Sequence, residues 1–167
     1  LAFSYLGEFD NSLVVPYIIA QFTGAIVGSI LVWIVYKPHY DDSTDPESIR
    51  ATFCTSPNIY KPLNNALTEG IGTFILMFGV LAISPAAATL GTLDALPVSL
   101  LLLGIGLSLG GPTGYAINPA RDLGPRFAHF ILPLRQKGKS GWNYAWVPVI
   151  APVIGAVLAA LVFNYVK

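Results

Sequence analysis

Long uncharged segments dominate the hydrophobic pattern of this chain. Residues 13–36 carry no charged side chain, and a helix of that length is about 36 Å long, enough to cross a bilayer with some tilt. Three more apolar segments follow at residues 66–84, 93–109 and 144–166, the first of them interrupted only by Glu69. The pattern predicts four membrane-spanning helices and an all-α membrane protein.

The connections between these segments differ in character. Residues 37–65 form a polar stretch that contains Asp41, Asp42, Asp45 and Glu47, and we expect it to be solvated. Residues 85–92 form a short link of Pro, Ala and Gly residues between the second and third spans.

The segment between the third and fourth spans predicts a broken backbone. Gly and Pro at residues 110–114 disfavour a regular helix. Asn118 is then a good N-cap and Pro119 suits the first helical position, so a new helix is expected from there to about Phe130. This half-helix is too short to span a bilayer. Non-helical backbone at membrane depth persists only where it lines a cavity or is buried in protein.

The first and last spans resemble each other, which indicates an internal repeat. At an offset of 131 residues, the identical positions include Ala20 and Ala151, Gly24 and Gly155, Ala25 and Ala156, and Val35 and Val166. Small residues on one face let membrane helices approach closely, and many transport folds are built from repeats. The repeat predicts that residues 1–9 are the tail of another half-helix.

Composition excludes several classes of function. Only 11% of the residues are charged, against about 25% in soluble domains. The net charge of zero provides no basic footprint for nucleic acid. Cys54 is the single cysteine, so neither an internal disulfide nor a cysteine metal site is expected. His39 and His129 show no spacing typical of a metal site or a catalytic dyad, and no cofactor is expected.

The box Asn118-Pro119-Ala120-Arg121 and its surroundings resemble the signature of the major intrinsic proteins, the aquaporins and glycerol facilitators. Further matches are Gln21 to Ala25 with the third helix of that family, Glu69 with the acid of its fourth, and Pro152 to Ala156 with its sixth. The resemblance covers essentially the whole chain. It implies an aquaporin-like right-handed helical bundle in which residues 1–167 form a single incomplete channel domain, with spanning helices three to six and the second pore half-helix.

The resemblance also implies roles for individual residues. The backbone carbonyls of Gly114, Tyr115 and Ala116 would line a pore as a ladder of acceptors, and the Asn118 side chain would donate at its midpoint. Arg121 would offer donors near the mouth and repel cations; the alternative is that it pairs with Asp122 or with a lipid headgroup. Residues in supporting roles would be Pro119, Ala120, Asp122, Glu69 and Gln21.

Three features of the box region resemble the glycerol-conducting branch. Gly106 stands where water-selective members commonly place a histidine, and we expect it to leave room for a carbon backbone. Asp122 and Arg126, and the Pro148-Val149 pair, are also typical of that branch. Tyr115 stands where that branch often has Phe, which keeps an aromatic face for CH groups and adds a hydroxyl.

Glu69 allows two interpretations, because acids inside apolar segments are rare and usually functional. It is either the site of proton-coupled transport or a structural acceptor for backbone N–H groups of the broken loop, and the resemblance favours the second role. Gln21 is expected to act similarly under the first half-helix.

The leading hypothesis is passive conduction of glycerol and water, with exclusion of ions and protons, by a multi-pass homotetramer in the cell membrane. Alternatives are a water-selective pore, a pore for small polyols or other neutral solutes including small organic acids, and a proton-coupled transporter using Glu69. An intramembrane enzyme using Ser108 or Ser140 is disfavoured, because neither histidine has suitable spacing to act as its base. The expected partners are therefore the solute, membrane lipid and further copies of the chain, and not nucleic acid.

Overall fold

The computed structural model describes residues 1–83 and 89–167 and contains only helices, turns and loops over that part of the chain. The helices are α1 (Ala2–Tyr5), α2 (Val14–Val35), α3 (Lys37–Asp42), α4 (Pro46–Ala51), α5 (Pro62–Ala87), α6 (Leu96–Thr113), α7 (Pro119–Ile131) and α8 (Val147–Val166), with 3-10 turns at Asn11–Leu13 and Ala88–Leu93. The all-α prediction is confirmed. The predicted link at residues 85–92 lies partly outside the described residues.

Four helices among the described residues are long and apolar enough to cross a membrane. They correspond to the four predicted spans, with shifted ends. The second begins at Pro62 and not at residue 66, since proline fits the first turn of a helix. The third begins at Leu96, with Pro97 in its first turn.

The prediction that residues 110–114 are non-helical was wrong for most of that segment. Helix α6 continues through Gly110, Gly111 and Pro112 to Thr113, and ends where Gly114 adopts a left-handed conformation with φ 80°. The Gly114 N–H donates to the Gly110 carbonyl at 2.8 Å, which closes the last turn. Proline this close to the end costs the helix one hydrogen bond, and glycine lowers helix propensity without forbidding a helix.

Helices α5 and α8 pack closely against each other through two glycines. A Cβ atom built on Gly155 would overlap the backbone carbonyl of Gly70. Glycine, which carries a hydrogen in place of a side chain, is the residue that lets the two backbones approach this closely, as in other membrane helix pairs with small residues at the interface. Gly155 is one of the repeat positions, and its counterpart Gly24 has no other residue within 4 Å of its built Cβ.

Two of the shorter helices, α1 and α7, pack on long helices. Helix α7 lies on α2, where a Cβ atom built on Gly124 would stand 2.7 Å from the Ala25 Cβ. The one-turn helix α1 packs on α8, the partner of α2 in the internal repeat. Within residues 1–9, where the repeat predicts the tail of a half-helix, the helical residues are Ala2–Tyr5.

The polar stretch at residues 37–65 is not simply solvated, which corrects the sequence interpretation. Its acidic side chains are mostly exposed, but it forms α3 and α4 and buries Tyr40, Ile49 and Phe53. These three side chains form a small core with Ala128, Leu132 and Leu134 from the end of α7 and the residues after it. These three apolar side chains anchor the stretch to the end of the half-helix.

We predict that Gly155→Ala lowers the free energy of unfolding by about 1 to 3 kcal/mol, because the added methyl overpacks the α5–α8 contact. Gly104→Ala on α6 is the matched control, since nothing lies within 4 Å of its built Cβ. Denaturant unfolding of the detergent-solubilised protein measures both. Equal stability of the two variants would contradict the close contact.

Candidate functional site

The backbone between α6 and α7 passes through an unusual conformation. Gly114 has φ 80°, Tyr115 φ 39° and Ile117 φ 44°. Left-handed backbone is strained for side chains other than glycine, and most of all for a β-branched residue such as isoleucine. Such a segment persists only if its surroundings hold it in place.

Glu69 of α5 provides that support from below the loop. One carboxylate oxygen accepts the Ala116 N–H at 3.0 Å and the other accepts the Ile117 N–H at 2.7 Å. The side chain is 1% exposed, so these bonds form in an apolar environment where an unpaired carboxylate would be costly. Within the described part of the chain, the carbonyl oxygens of residues 114–116 accept no hydrogen bond.

Asn118 caps the half-helix α7 and thereby fixes the direction of its own amide. The Oδ1 atom accepts the N–H groups of Ala120 at 2.9 Å and Arg121 at 3.4 Å. The Nδ2 atom is therefore left as a donor, and lies 3.5 Å from Oε1 of Gln21 on α2. Pro119 occupies the first helical position, where its missing N–H has no cost.

The ring of Tyr115 lies along α6 on two glycines that are one turn apart. A Cβ atom built on Gly110 would stand 3.0 Å from Cδ1 of the ring, and one on Gly106 would stand 3.1 Å from Cζ. The expectation that Gly106 leaves room for a solute is corrected here, because the space beside it is filled by the tyrosine ring. Gly106 acts by seating that ring.

Arg121 extends into open space beside the same ring. It is exposed, and its guanidinium carbon lies 5.9 Å from the Tyr115 ring centroid. Asp122 points elsewhere, to Thr55 and Arg126. The alternative in which Arg121 pairs with Asp122 is therefore excluded by the geometry. An exposed cation and an aromatic face thus stand together next to the unpartnered carbonyls.

Asp122 and Arg126 form a buried ion pair on the other side of α7. Their side chains are 0% and 1% exposed. Nε and Nη2 of Arg126 lie 2.8 Å and 2.7 Å from the same oxygen, Oδ1 of Asp122. A pair removed from water to this degree is stable only when its remaining polar atoms also have partners.

Two loops supply these partners and complete what we call the Asp122–Arg126 clamp. Oδ2 of Asp122 accepts the Thr55 N–H at 2.8 Å and the Thr55 hydroxyl at 2.6 Å. Arg126 donates from Nη2 to the Thr55 carbonyl at 2.8 Å, and from Nη1 to the carbonyls of Ser140 at 2.7 Å and Gly141 at 2.9 Å. The clamp thus ties residues 55 and 140–141 to the half-helix.

Most of this clamp was not expected from the sequence. Asp122 was expected only as a supporting residue, and Arg126 only as a mark of the glycerol-conducting branch. Opposite charges four residues apart on one helix were the available signal for their pairing. Nothing in the sequence indicates Thr55, because its partners lie 67 and 71 residues away.

His129 has a partner that sequence spacing did not reveal. Its Nδ1 lies 2.8 Å from the Ser140 hydroxyl, and both side chains are buried. The expectation that neither histidine would pair with a serine was wrong. Nε2 of His129 has no hydrogen-bond partner and no carboxylate orients the ring, so the pair anchors the loop to α7. His39 is exposed and lies beside the ring of Tyr36.

Cys54 is enclosed by the same loop. Its side chain is buried, Sγ lies 3.9 Å from the Ser140 carbonyl, and burial raises the pKa of the thiol to about 11. A thiol with this pKa carries little reactive thiolate at neutral pH. Among the described residues, no three His, Cys, Asp or Glu side chains are grouped as metal ligands.

We predict that Asp122→Asn lowers the free energy of unfolding by about 3 to 5 kcal/mol, because it leaves the Arg126 charge buried without a counter-charge. Asp41→Asn is the matched control, since the Lys37–Asp41 pair has the same spacing but is partly exposed, and its loss costs less than about 1 kcal/mol.

Denaturant unfolding measures the difference between these two variants. Maleimide labelling of Cys54, followed by mass spectrometry of its peptide, gives a local measure at pH 7. Labelling should become faster in Asp122→Asn and remain slow in Asp41→Asn. Equal labelling in the two variants would show that the clamp does not hold the loop closed.

A family model described as major intrinsic protein matches residues 1–163. The chain is 50% identical over 165 residues to a probable glycerol uptake facilitator protein of Thermotoga maritima, covering 99% of this chain and 70% of that protein. It is 52% identical over 153 residues to the glycerol uptake facilitator protein of Streptococcus pneumoniae serotype 4, covering 90% of this chain and 64% of that protein. It is also 46% identical over 168 residues to a D/L-lactic acid transporter of Lactiplantibacillus plantarum, covering 96% of this chain and 68% of that protein.

The fold has a similar solved counterpart. The X-ray structure of the aquaglyceroporin from Plasmodium falciparum matches with a TM-score of 0.85 and 30% sequence identity, over 99% of this chain and 69% of that one. The chain thus spans between 64% and 70% of the length of these four proteins.

Proposed function

This chain belongs to the major intrinsic protein family, and from that premise we propose that the protein containing it is a passive channel for glycerol and water. The four long helices would be the third to sixth spanning helices of the family fold, α7 its second pore half-helix, and residues 1–167 a single incomplete channel domain. The observation that carries the proposal is the row of unpartnered carbonyls at residues 114–116, beside an exposed Arg121 and the face of Tyr115.

A polar solute that leaves water must exchange its hydration for other hydrogen bonds. The carbonyls of Gly114, Tyr115 and Ala116 offer acceptors because Glu69 holds the adjacent N–H groups on the opposite side. The Nδ2 atom of Asn118 offers a donor, since its Oδ1 is occupied by the helix cap. A solute such as glycerol would meet these carbonyl acceptors along one side and the donors of Asn118 and Arg121, with its CH groups against the Tyr115 ring.

Exclusion of cations would follow from two positive features of the same segment. The N-terminus of a helix carries about half a positive charge, and α7 begins at Pro119 within this segment. The Arg121 guanidinium adds a full charge close by. Cations would be repelled at both points, and the donor at Asn118 would interrupt proton relay along a file of water.

The role of Glu69 that we propose is structural. Both of its oxygens already accept backbone N–H groups, and protonation of either oxygen would weaken one of these bonds. Proton coupling through this residue would therefore disturb the carbonyl row on every cycle. A passive pore requires no such change.

The proposed activity is not enzymatic. Ser108 donates its hydroxyl to the Gly104 carbonyl within its own helix. Ser140 is buried with His129 behind the Asp122–Arg126 clamp, where a substrate would have to displace the loop. The Ser108 hydroxyl is thus bonded to a backbone carbonyl and Ser140 is not accessible, so neither serine is placed as an activated nucleophile.

A broader solute range is the second candidate. The Tyr115 hydroxyl and the Arg121 guanidinium are both donors, the guanidinium carbon lying 5.9 Å from the centroid of the tyrosine ring, and a carboxyl or carbonyl group could accept from them. A similar protein of Lactiplantibacillus plantarum is named a D/L-lactic acid transporter. Small neutral hydroxy acids and polyols other than glycerol are therefore candidate solutes of this protein as well.

We also propose a multi-pass homotetramer in the cell membrane. Helix α2 buries none of its residues within this chain, and nothing lies within 4 Å of Cβ atoms built on its Gly24 and Gly28. Apolar faces of this kind suit contacts with lipid or with further helices. Crosslinking in native membranes would test the number of subunits.

The first test is glycerol-driven volume change of proteoliposomes that contain the full-length protein. Glycerol entry well above that of empty vesicles, without any pH gradient, supports the channel. Tyr115→Phe removes the hydroxyl and keeps the ring on its glycine seat, so glycerol entry should persist while lactic acid entry at low pH falls. Water flux without glycerol flux would assign the protein to the water-selective alternative.

We predict that Glu69→Gln lowers glycerol flux by about tenfold, because an amide accepts through one oxygen only and a hydrogen bond to a charged group is lost. The control is Glu8→Gln, since the Glu8 side chain is exposed. Stopped-flow light scattering measures both. A pH gradient that drives uptake in the wild type and not in Glu69→Gln would instead indicate proton coupling.

A further inference from the structure

We propose that Thr55 is a positioning residue for the pore constriction, and that its methyl group holds Gly114 and, through it, the ring of Tyr115. The inference rests on the proposed channel function, because it assigns selectivity to a loop residue that touches neither Arg121 nor the solute path. Three sets of contacts carry it.

The Asp122–Arg126 clamp fixes the Thr55 side chain in one orientation. The N–H, hydroxyl and carbonyl groups of Thr55 are all engaged, at 2.8 Å, 2.6 Å and 2.8 Å. The residue is 6% exposed. Because the hydroxyl must point at Asp122, the rotamer is determined, and the methyl must take one of the remaining two positions on Cβ.

The methyl group of Thr55 lies against Gly114. A Cβ atom built on Gly114 would stand 3.2 Å from the Thr55 methyl carbon and 3.3 Å from its Cβ. The threonine side chain thus covers the face of Gly114 on which any other residue would carry its own side chain. Glycine is required at this position for two reasons, its left-handed φ and the presence of Thr55.

Gly114 is held from the opposite side by α6. Its N–H donates to the Gly110 carbonyl at 2.8 Å, while the Asn58 N–H of the same loop donates to the Pro112 carbonyl at 3.1 Å. Gly114 therefore lies between the end of α6 and the Thr55 methyl. In our proposal, the methyl restricts rotation of the two peptide planes that meet at Gly114.

The next residue is Tyr115, whose strained backbone and ring position depend on Gly114. The ring lies on Gly106 and Gly110 with little free space, so a small change of the Gly114 dihedral angles would shift it toward or away from Arg121. The Thr55 methyl therefore sets the width of the gap between ring and guanidinium. A serine would keep the hydroxyl bonds of the clamp and lose only this contact.

The test compares Thr55→Ser with Thr52→Ser in the full-length protein. Thr52 is a matched control in the same loop, exposed, with its hydroxyl bonded to Ile49 and Tyr40 and no contact with Gly114. We expect Thr55→Ser to raise the erythritol-to-glycerol permeability ratio by about fivefold, less than the roughly tenfold or more of a methylene in direct contact with a substrate, because the methyl acts through Gly114. Thr52→Ser should keep the wild-type ratio.

A second variant separates positioning from stability. Thr55→Val keeps a methyl against Gly114 but removes the hydroxyl donor to Asp122. It should lower the melting temperature and speed maleimide labelling of Cys54, while its permeability ratio stays closer to wild type than that of Thr55→Ser. Thr55→Ser should leave Cys54 protected, because the clamp remains closed. If the erythritol-to-glycerol permeability ratio rises in proportion to the loss of melting temperature across these variants, the positioning role is overturned.

Hydrogen exchange gives a measurement that needs no solute flux. Amides of residues 113–117 should exchange faster in Thr55→Ser than in wild type or Thr52→Ser. If the wild type carries no glycerol, the proposed function fails, and faster exchange would still support the role of the methyl in holding Gly114. If glycerol passes but neither exchange nor the permeability ratio changes in Thr55→Ser, the inference fails and the proposed function remains.

Discussion

The structure depends on one constraint: a stretch of strained, polar backbone lies within an apolar helical bundle. Residues 114–117 contain three left-handed backbone conformations and begin a helix that is too short to cross a membrane. Each peptide group in this stretch needs a partner or access to a polar path. Glu69 satisfies the N–H groups on one side, and the carbonyls on the other side are left free. In the channel that we propose, these free carbonyls would form the polar path, because only half of the hydrogen-bonding demand of this stretch is met inside the chain.

Most of the deeply buried charge of the chain serves this segment. Glu69, Asp122 and Arg126 are each at most 1% exposed, although such groups are costly to remove from water. Glu69 supports the loop from α5, while the other two attach the loops at residues 55 and 140–141 to α7. These contacts are directional, which apolar packing is not, and they determine where Tyr115 and Arg121 stand. The hydrogen bonds and the ion pair offset the desolvation free energy of these groups, and they also give the site a defined geometry.

Much of the architecture followed from local pattern. Spans of apolar residues, the Asn118 cap with Pro119 behind it, and the repeat of small residues in the first and last spans all depend on neighbours in sequence. The contacts of the site did not follow in this way. Gly106 was expected to leave space, whereas Tyr115 fills it. His129 was expected to be unpaired, whereas it meets Ser140. The third span was expected to end at residue 109, whereas α6 continues to Thr113.

The sequence by itself determined the apolar environment, the long helices and the start of the half-helix after Asn118, because hydrophobicity, helix capping and proline geometry act within a few residues. Only the tertiary structure decided which side chains hold the break. Thr55 lies 67 residues from Asp122, and Glu69 lies 47 residues from Ala116. Partners at such distances along the chain are brought together by helix packing through glycines such as Gly70 and Gly155. That packing depends on shape at atomic contact, which the order of residues along one helix does not express.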